Sequence, residues 1–136
     1  MRILAIDLGD VRTGVAVSDK NEFLASPVGT IEEKNRQVLL KKIVEIIKKY
    51  DVKKIVLGLP KNMDGTEGDS ARKSRDFKEL IQKNTGLEVV LLDERGTTIS
   101  AHNYLNMTDT RGKKRKNVVD TVAATIILQN YLDSKK

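Results

Sequence analysis

The apolar positions of this chain begin with a strand-like period, switch to a helical one, and alternate between the two thereafter. Residues 2 to 8 (RILAIDL) and 14 to 18 (GVAVS) have the apolar, partly β-branched character of strands. The intervening Gly9-Asp10-Val11-Arg12-Thr13-Gly14 is short enough for a hairpin. Residues 23 to 31 (FLASPVGTI) extend this meander as a third strand, and Pro27 predicts an edge or irregular position because proline donates no ladder hydrogen bond. Between 34 and 50, Leu39, Ile43, Ile46, Ile47 and Tyr50 share one helical face with lysines opposite, which predicts an amphipathic helix closed by Asp51-Val52.

The runs IVLGLP (55 to 60) and EVVLL (88 to 92) are short and almost wholly apolar, as in strands buried on both faces of a parallel sheet. A helix over about 69 to 84 separates them and ends at Gly86, a residue suited to a left-handed C-cap. Two more helices are predicted, at about 97 to 105 and 117 to 133, on either side of the polar segment Asn106 to Lys116. The order β, β, β, α, β, α, β, α, α has no internal repeat or linker. It predicts an α/β fold with a mixed five-stranded sheet flanked by helices, in a single domain over residues 1–136.

Composition narrows the chemistry. A chain of 136 residues buries roughly two-thirds of its unfolded surface without a covalent staple. With no cysteine there is no disulfide, thiolate nucleophile or cysteine zinc site, in keeping with a reducing compartment. The opening MRILAIDLG lacks the long apolar region and cleavage site of a secretion signal, and no stretch has transmembrane length, so a soluble, cytoplasmic protein without a membrane partner is expected. Lysine and arginine outnumber aspartate and glutamate 25 to 19, for a net charge of +6 and a pI near 9.5. That balance suits a polyanionic partner and equally suits a lysine-rich proteome. Aromatics make up 4% and tryptophan is absent, so phosphate contacts are better supplied than base stacking.

Ligand sites in open α/β sheets form beyond the carboxyl ends of the strands. Three acids near such ends stand out. Asp7 alternates with Ile3 and Ala5 and so shares the face they bury, where a carboxylate is costly unless turn amides or a cation satisfy it. Glu94 follows the second buried strand beside Asp93, and only one of the two can face a shared site. Either is also an ordinary solvated strand end. Asp120 shares a helical stripe with Ala123, Ala124, Ile127 and Tyr131. It reads as an N-cap or as a buried functional acid; Asn117 is an equally good cap upstream, and Ala123 cannot complete a capping box. Carboxylate oxygens are hard ligands suited to Mg²⁺ or Mn²⁺, and two such ions roughly 4 Å apart can activate water and stabilise the departing oxygen in phosphodiester cleavage.

Arg111, Lys113, Lys114, Arg115 and Lys116 surround a single glycine just before the Asp120 helix. They read as a flexible cationic loop that is either simply solvated or, beside Asp120, positioned for a polyanion. Arg12 in the first turn and Arg95 beside Glu94 are further candidates for phosphate contact. His102, the sole histidine, has no serine or cysteine partner for a triad, and MDGTEGDS lacks the spacing and lysine of a phosphate-binding loop.

Four ordered segments, IDLGDVRTGVAVSD (6 to 19), VLGLPKNMDGTEG (56 to 68), LLDERGTTISA (91 to 101) and VVDTVAATIILQNYL (118 to 132), closely resemble the YqgF/RuvX family of Holliday-junction-resolvase-like nucleases. The resemblance implies a ribonuclease H-like fold and nucleolytic maturation of the 5′ end of pre-16S ribosomal RNA. It also implies divalent-metal dependence, with Asp7, Glu94 and Asp120 as the catalytic and metal-holding acids. Two positions depart from the family pattern. Gly96 stands where leucine is usual after the DER triplet, loosening the turn at Glu94, and Asn117 stands where related resolvases carry a fourth acid.

Alternatives within nucleic-acid chemistry are a Holliday junction resolvase and a binding factor that does not cut. The hairpin IDLGDVRTG also looks like the phosphate-binding hairpin of sugar kinases and actin-like ATPases, but those enclose ATP between two such domains and this chain is long enough for one. The expected assembly is a monomer or a weak homodimer.

Overall fold

The computed structural model describes residues 1–62, 64–93 and 112–135, with side chains from 119 onward in the last stretch. Its elements are β1 (Arg2–Asp7), β2 (Arg12–Ser18), β3 (Ala25–Glu32), α1 (Arg36–Tyr50), β4 (Val52–Leu59), α2 (Asp69–Thr85), β5 (Glu88–Asp93) and α3 (Gly112–Ser134). The strands form one five-stranded sheet in the order β3-β2-β1-β4-β5. β1, β2 and β3 pair antiparallel, whereas β4 and β5 join β1 in parallel. This is the expected mixed sheet. Its parallel half is reached through α1 and α2, since parallel neighbours need a crossover connection.

Alternation along β1 divides the core. Leu4 and Ile6 face one side with Val15, Val17, Ile55 and Leu57, covered by Leu39 and Ile43 of α1 and Phe77 and Ile81 of α2. Ile3 and Ala5 face the other side with Ala16 and Val56, covered by Ala124, Ile127, Leu128 and Tyr131 of α3. Ile3, Leu4, Ala5 and Ile6 are all fully buried, which explains why β1 reads as a continuous apolar run ending in an acid.

Local chemistry sets the element ends. Asn35 caps α1, its Oδ1 accepting from the amides of Gln37 (2.9 Å) and Val38 (3.2 Å). Gly86 ends α2 in the left-handed region at φ 70°. β3 lies at the sheet edge and so tolerates Pro27, which sits next to a register shift opposite Val15 and Ala16. β4 starts at Val52, earlier than the apolar run suggests. Lys54 is an inward strand residue whose stem is covered while its Nζ lies 3.2 Å from Glu88 Oε1 and 5.3 Å above the Tyr131 ring.

The final helix corrects the expected boundary. α3 begins at Gly112, so Lys113, Lys114, Arg115 and Lys116 occupy its first turns rather than a flexible loop, and Asn117 is inside the helix rather than at its cap. Lysine and arginine are good helix formers, and nothing between Gly112 and Asp120 breaks a helix. The helix expected at 97 to 105 lies outside the described residues. Among the described residues no helix is long and apolar enough to cross a membrane.

Ile127 is 1% exposed beneath α3, whereas Leu24 is 62% exposed. Ile127→Ala is expected to lower stability by about 2–5 kcal/mol in chemical denaturation, and Leu24→Ala to change it by less than about 0.5 kcal/mol.

Candidate active site

The three parallel strands deliver their carboxyl ends to one edge of the sheet: Asp7 ends β1, Leu59 ends β4 and is followed by Pro60-Lys61, and Asp93 ends β5. Asp7 is half-buried and continues the alternation of Ile3 and Ala5, which places it on the α3 face. Its neighbour on β2 is Gly14, and Gly14 in turn pairs with Thr30 of β3. Asp7, Gly14 and Thr30 therefore form one row across three strands.

α3 comes down on that row. A Cβ at Gly14 would lie 1.8 Å from the Asp120 carbonyl oxygen, 2.2 Å from its carbonyl carbon and 2.8 Å from the Thr121 amide nitrogen. Only a residue without a side chain lets the helix backbone approach this closely. The Thr121 hydroxyl is hydrogen-bonded to that of Thr30, pinning the same turn of α3 to the edge strand. Laterally paired residues in an antiparallel ladder have Cα atoms about 4.5–5.5 Å apart. Asp7 and the backbone of Asp120 thus meet at one corner, each against Gly14, although 113 residues (120 minus 7) separate them in the chain.

The β1–β2 turn supplies the charge opposite the acids. It is tight at Gly9, where a Cβ would lie 2.0 Å from the Arg12 carbonyl oxygen, and the Gly9 amide donates to Thr13 Oγ1 at 3.5 Å. This folds Arg12 back at the start of β2, its Nε 3.6 Å from Glu32 Oε1 on β3. Burial pushes the Asp120 carboxyl above the ordinary carboxylate range, and the positive charge of Arg12 partly opposes that rise.

The structure thus brings together Asp7, Asp120 and Arg12 from the candidates read in the sequence. Glu94, Arg95, Arg111 and His102 lie outside the described residues. Asp93, the residue before Glu94, ends β5 opposite Leu59 at the same edge. Lys116 and Lys113 precede Asp120 by one and two helical turns, and the side chains of Lys113, Lys114, Arg115 and Lys116 lie outside the described ones. Among the described residues, no three or more of His, Cys, Asp and Glu cluster as a metal site. Gly14 was legible only as a turn glycine. Its place in the GVAV run, with no side chain where a strand needs one, was the available signal for a close backbone approach.

Two outcomes follow from this geometry. Gly14→Ala must displace α3 and is expected to cost about 1–3 kcal/mol in thermal or chemical unfolding. Gly68→Ala, at the N-cap of α2 where a Cβ meets nothing within 4 Å, should cost less, about 0.5 kcal/mol, from the N-cap preference for glycine over alanine. For Asp120, the folded-state pKa lies above the unfolded one. Below about pH 3.8 both states are protonated and the group is neutral to stability, whereas above its folded pKa the native state carries the desolvation cost. Asp120→Asn should therefore melt higher than wild type at pH 7 in EDTA, with the gap closing as pH falls through the carboxylate range. An equal gap at pH 3 and pH 7 would mean that the charge is not its source.

Comparison with known proteins agrees with this architecture. The RuvX family, described as Holliday junction resolvase, matches residues 1–134. A Clostridium acetobutylicum protein named "Putative pre-16S rRNA nuclease" is 46% identical over 134 residues, covering 98% of this chain and 99% of the relative. A Geobacillus sp. protein of the same name is 46% identical over 138 residues and covers all of both chains. Among solved structures, T. thermophilus RuvC in complex with a Holliday junction substrate superposes with a TM-score of 0.63 at 10% identity, covering 99% of this chain and 96% of that one. The Fowlpox virus resolvase with Holliday junction DNA gives 0.62 at 11% identity, covering 99% of both. At such identities the likeness is one of fold, and it is the ribonuclease H-like fold of these resolvases. Matched from residue 1 to residue 134, the chain belongs to the RuvX Holliday junction resolvase family.

Proposed function

We propose that this protein is a divalent-metal-dependent nuclease that hydrolyses a phosphodiester of structured nucleic acid, with the 5′ region of pre-16S ribosomal RNA in the cytoplasm as its substrate. The observation that carries this reading is the meeting of Asp7 and Asp120 at one corner of the strand edge, each against Gly14. Names borne by relatives covering nearly the whole chain support the RNA substrate. The net charge of +6 suits a polyanion.

The donor set fits a hard divalent cation. Burial disfavours the charge of Asp120 and the guanidinium of Arg12 offsets that in part, so an added cation would relieve the remaining cost. Asp7 and Asp120 would hold Mg²⁺ or Mn²⁺, joined by Glu94 through the DER segment that it shares with the family. When bound, the ion supplies Lewis acidity to the scissile phosphate and lowers the pKa of water. Asn117 precedes Asp120 by one turn of α3, and its neutral amide is a weaker type of ligand than the fourth acid that related resolvases carry at that position.

The chain's own residues do the rest. Arg12 balances charge at the corner. Lys113, Lys114, Arg115 and Lys116, on the first turns of α3, and Arg95 and Arg111 contact backbone phosphates and fix the register of the strand being cut. Helix-borne cations are better placed than loop-borne ones, because their backbone is already ordered before substrate arrives. A second reading, cleavage of a four-way DNA junction, is favoured by the family description and by the junction-bound resolvases of like fold.

Cleavage of an end-labelled pre-16S RNA fragment and of a labelled four-way junction, with Mg²⁺ or Mn²⁺, tests both. Wild type is expected to cut the RNA, and Asp7→Asn and Asp120→Asn to lose more than about 100-fold of the rate while keeping RNA affinity. Cutting confined to the junction moves the substrate to DNA. Equal cutting by all three proteins refutes the site, and tight binding without cutting makes the protein a binding factor.

A further inference from the structure

On the opposite face of the same strand edge is a cleft of about 170 Å³ lined by Leu8, Gly9, Asp10, Arg36, Ser70 and Lys73. Leu8 packs with the α1/α2 core, so this cleft and the acids of Asp7 and Asp120 flank the end of β1 from its two sides. Two cations from two different helices converge there on one oxygen. Lys73 Nζ of α2 is 2.9 Å, and Arg36 Nη2 of α1 is 3.8 Å, from the same Asp10 Oδ1. Arg36 is also fixed independently of that acid, its Nη1 donating to the Gly9 carbonyl at 2.9 Å.

We propose that this cleft is a phosphate-binding subsite for the nucleic-acid backbone, in which a substrate phosphate displaces the Asp10 carboxylate from Arg36 and Lys73. Three observations support it. The cations outnumber the acid two to one, so the cleft retains attraction for an anion after Asp10 is counted. The convergence of two donors on one anionic oxygen is the arrangement that a phosphate oxygen requires, and an internal carboxylate already fills it. Asp10 is easily released, because its side chain is 75% exposed on a turn and exposed ion pairs hold weakly. Ser70 adds a hydroxyl to the lining for a second phosphate oxygen. A backbone phosphate rather than a free one is indicated by position: the cleft begins at Leu8, one residue after Asp7, and a nucleic-acid strand carries a charge every 3.4 Å of helix axis. Cations seated on either side of the edge would hold the strand at two points and orient it across Asp7.

The proposal rests on the nuclease reading, and binding measured without cleavage separates the two. Fluorescence anisotropy of a labelled pre-16S RNA fragment in EDTA, across a series of KCl concentrations, would compare wild type, Asp10→Asn, Lys73→Gln and the double variant. Asp10→Asn is expected to tighten binding about 3–10-fold by removing the competing charge. Lys73→Gln should weaken binding and reduce the slope of log K against log salt by about 0.7–0.9, the loss of one phosphate contact. In the Lys73→Gln background the gain from Asp10→Asn should shrink, since only Arg36 of the two cations is then left for the acid to compete for. An undiminished gain in that background, or an unchanged salt slope, overturns the subsite and leaves the nuclease reading intact. Absence of any RNA binding by wild type removes both.

Discussion

The rest of the active edge depends on the bare contact between Gly14 and the backbone of α3. Helices usually ride on a sheet at a distance set by intervening side chains; here β2 offers none at the point where the Asp120 carbonyl lies. Ala5 and Ala16 on the sheet and Ala124 on the helix extend the small-residue track away from that corner. The far end of the helix is held separately. Gln129 Oε1 accepts from the Ala25 amide at 2.9 Å and its Nε2 donates to the Phe23 carbonyl at 3.0 Å, while Tyr131 lies beneath Lys54. Held against the sheet at Asp120 and Thr121 and again at Gln129 and Tyr131, α3 cannot pivot about one contact without straining the other, so packing sets where the Asp120 backbone lies.

That closeness has an electrostatic cost which the turn between β1 and β2 limits. Bringing Asp120 onto the sheet strips it of water, and the charge that lessens the penalty comes from Arg12, carried back by the turn at Gly9. The offset is partial, and on the proposed function a bound cation would relieve the rest of the cost. A fully neutralised acid would be more stable and chemically idle, which is the usual balance at sites that hold strained charge.

How much of this the sequence showed follows from the range of the interactions. Alternation placed Asp7 on the same face as Ile3 and Ala5, and the helical period placed Asp120 with Ala123, Ala124, Ile127 and Tyr131; all six of these apolar partners are buried. Such patterns are local and survive in one dimension. The start of α3 was not legible, because a lysine-rich segment with one glycine suits a loop and a first helical turn about equally. The start of β4 was hidden by Lys53 and Lys54: Lys53 is met locally by Asp51, but Lys54 is met by Glu88 and Tyr131, distant in sequence. Asp10 and Lys73 are 63 residues apart, and nothing in either neighbourhood announces the other.

The two faces of the edge are joined by the turn that separates them. Its Gly9 carbonyl accepts from Arg36 on the α1/α2 side, its Arg12 bears on Asp120 on the α3 side, and Asp10 lies between. Besides the Asp10 ion pairs, the turn is tied down through backbone, the Glu33 amide donating to the Val11 carbonyl at 2.8 Å. In the proposed exchange the Asp10 carboxylate leaves Arg36 and Lys73 while the bonds to the Val11 and Gly9 carbonyls still hold the turn, and with it Arg12. Separate tethering of this kind allows charge to be exchanged on one face of the sheet while the acids on the other keep their geometry, the requirement for an enzyme that must grip a polyanion and cut it at one point.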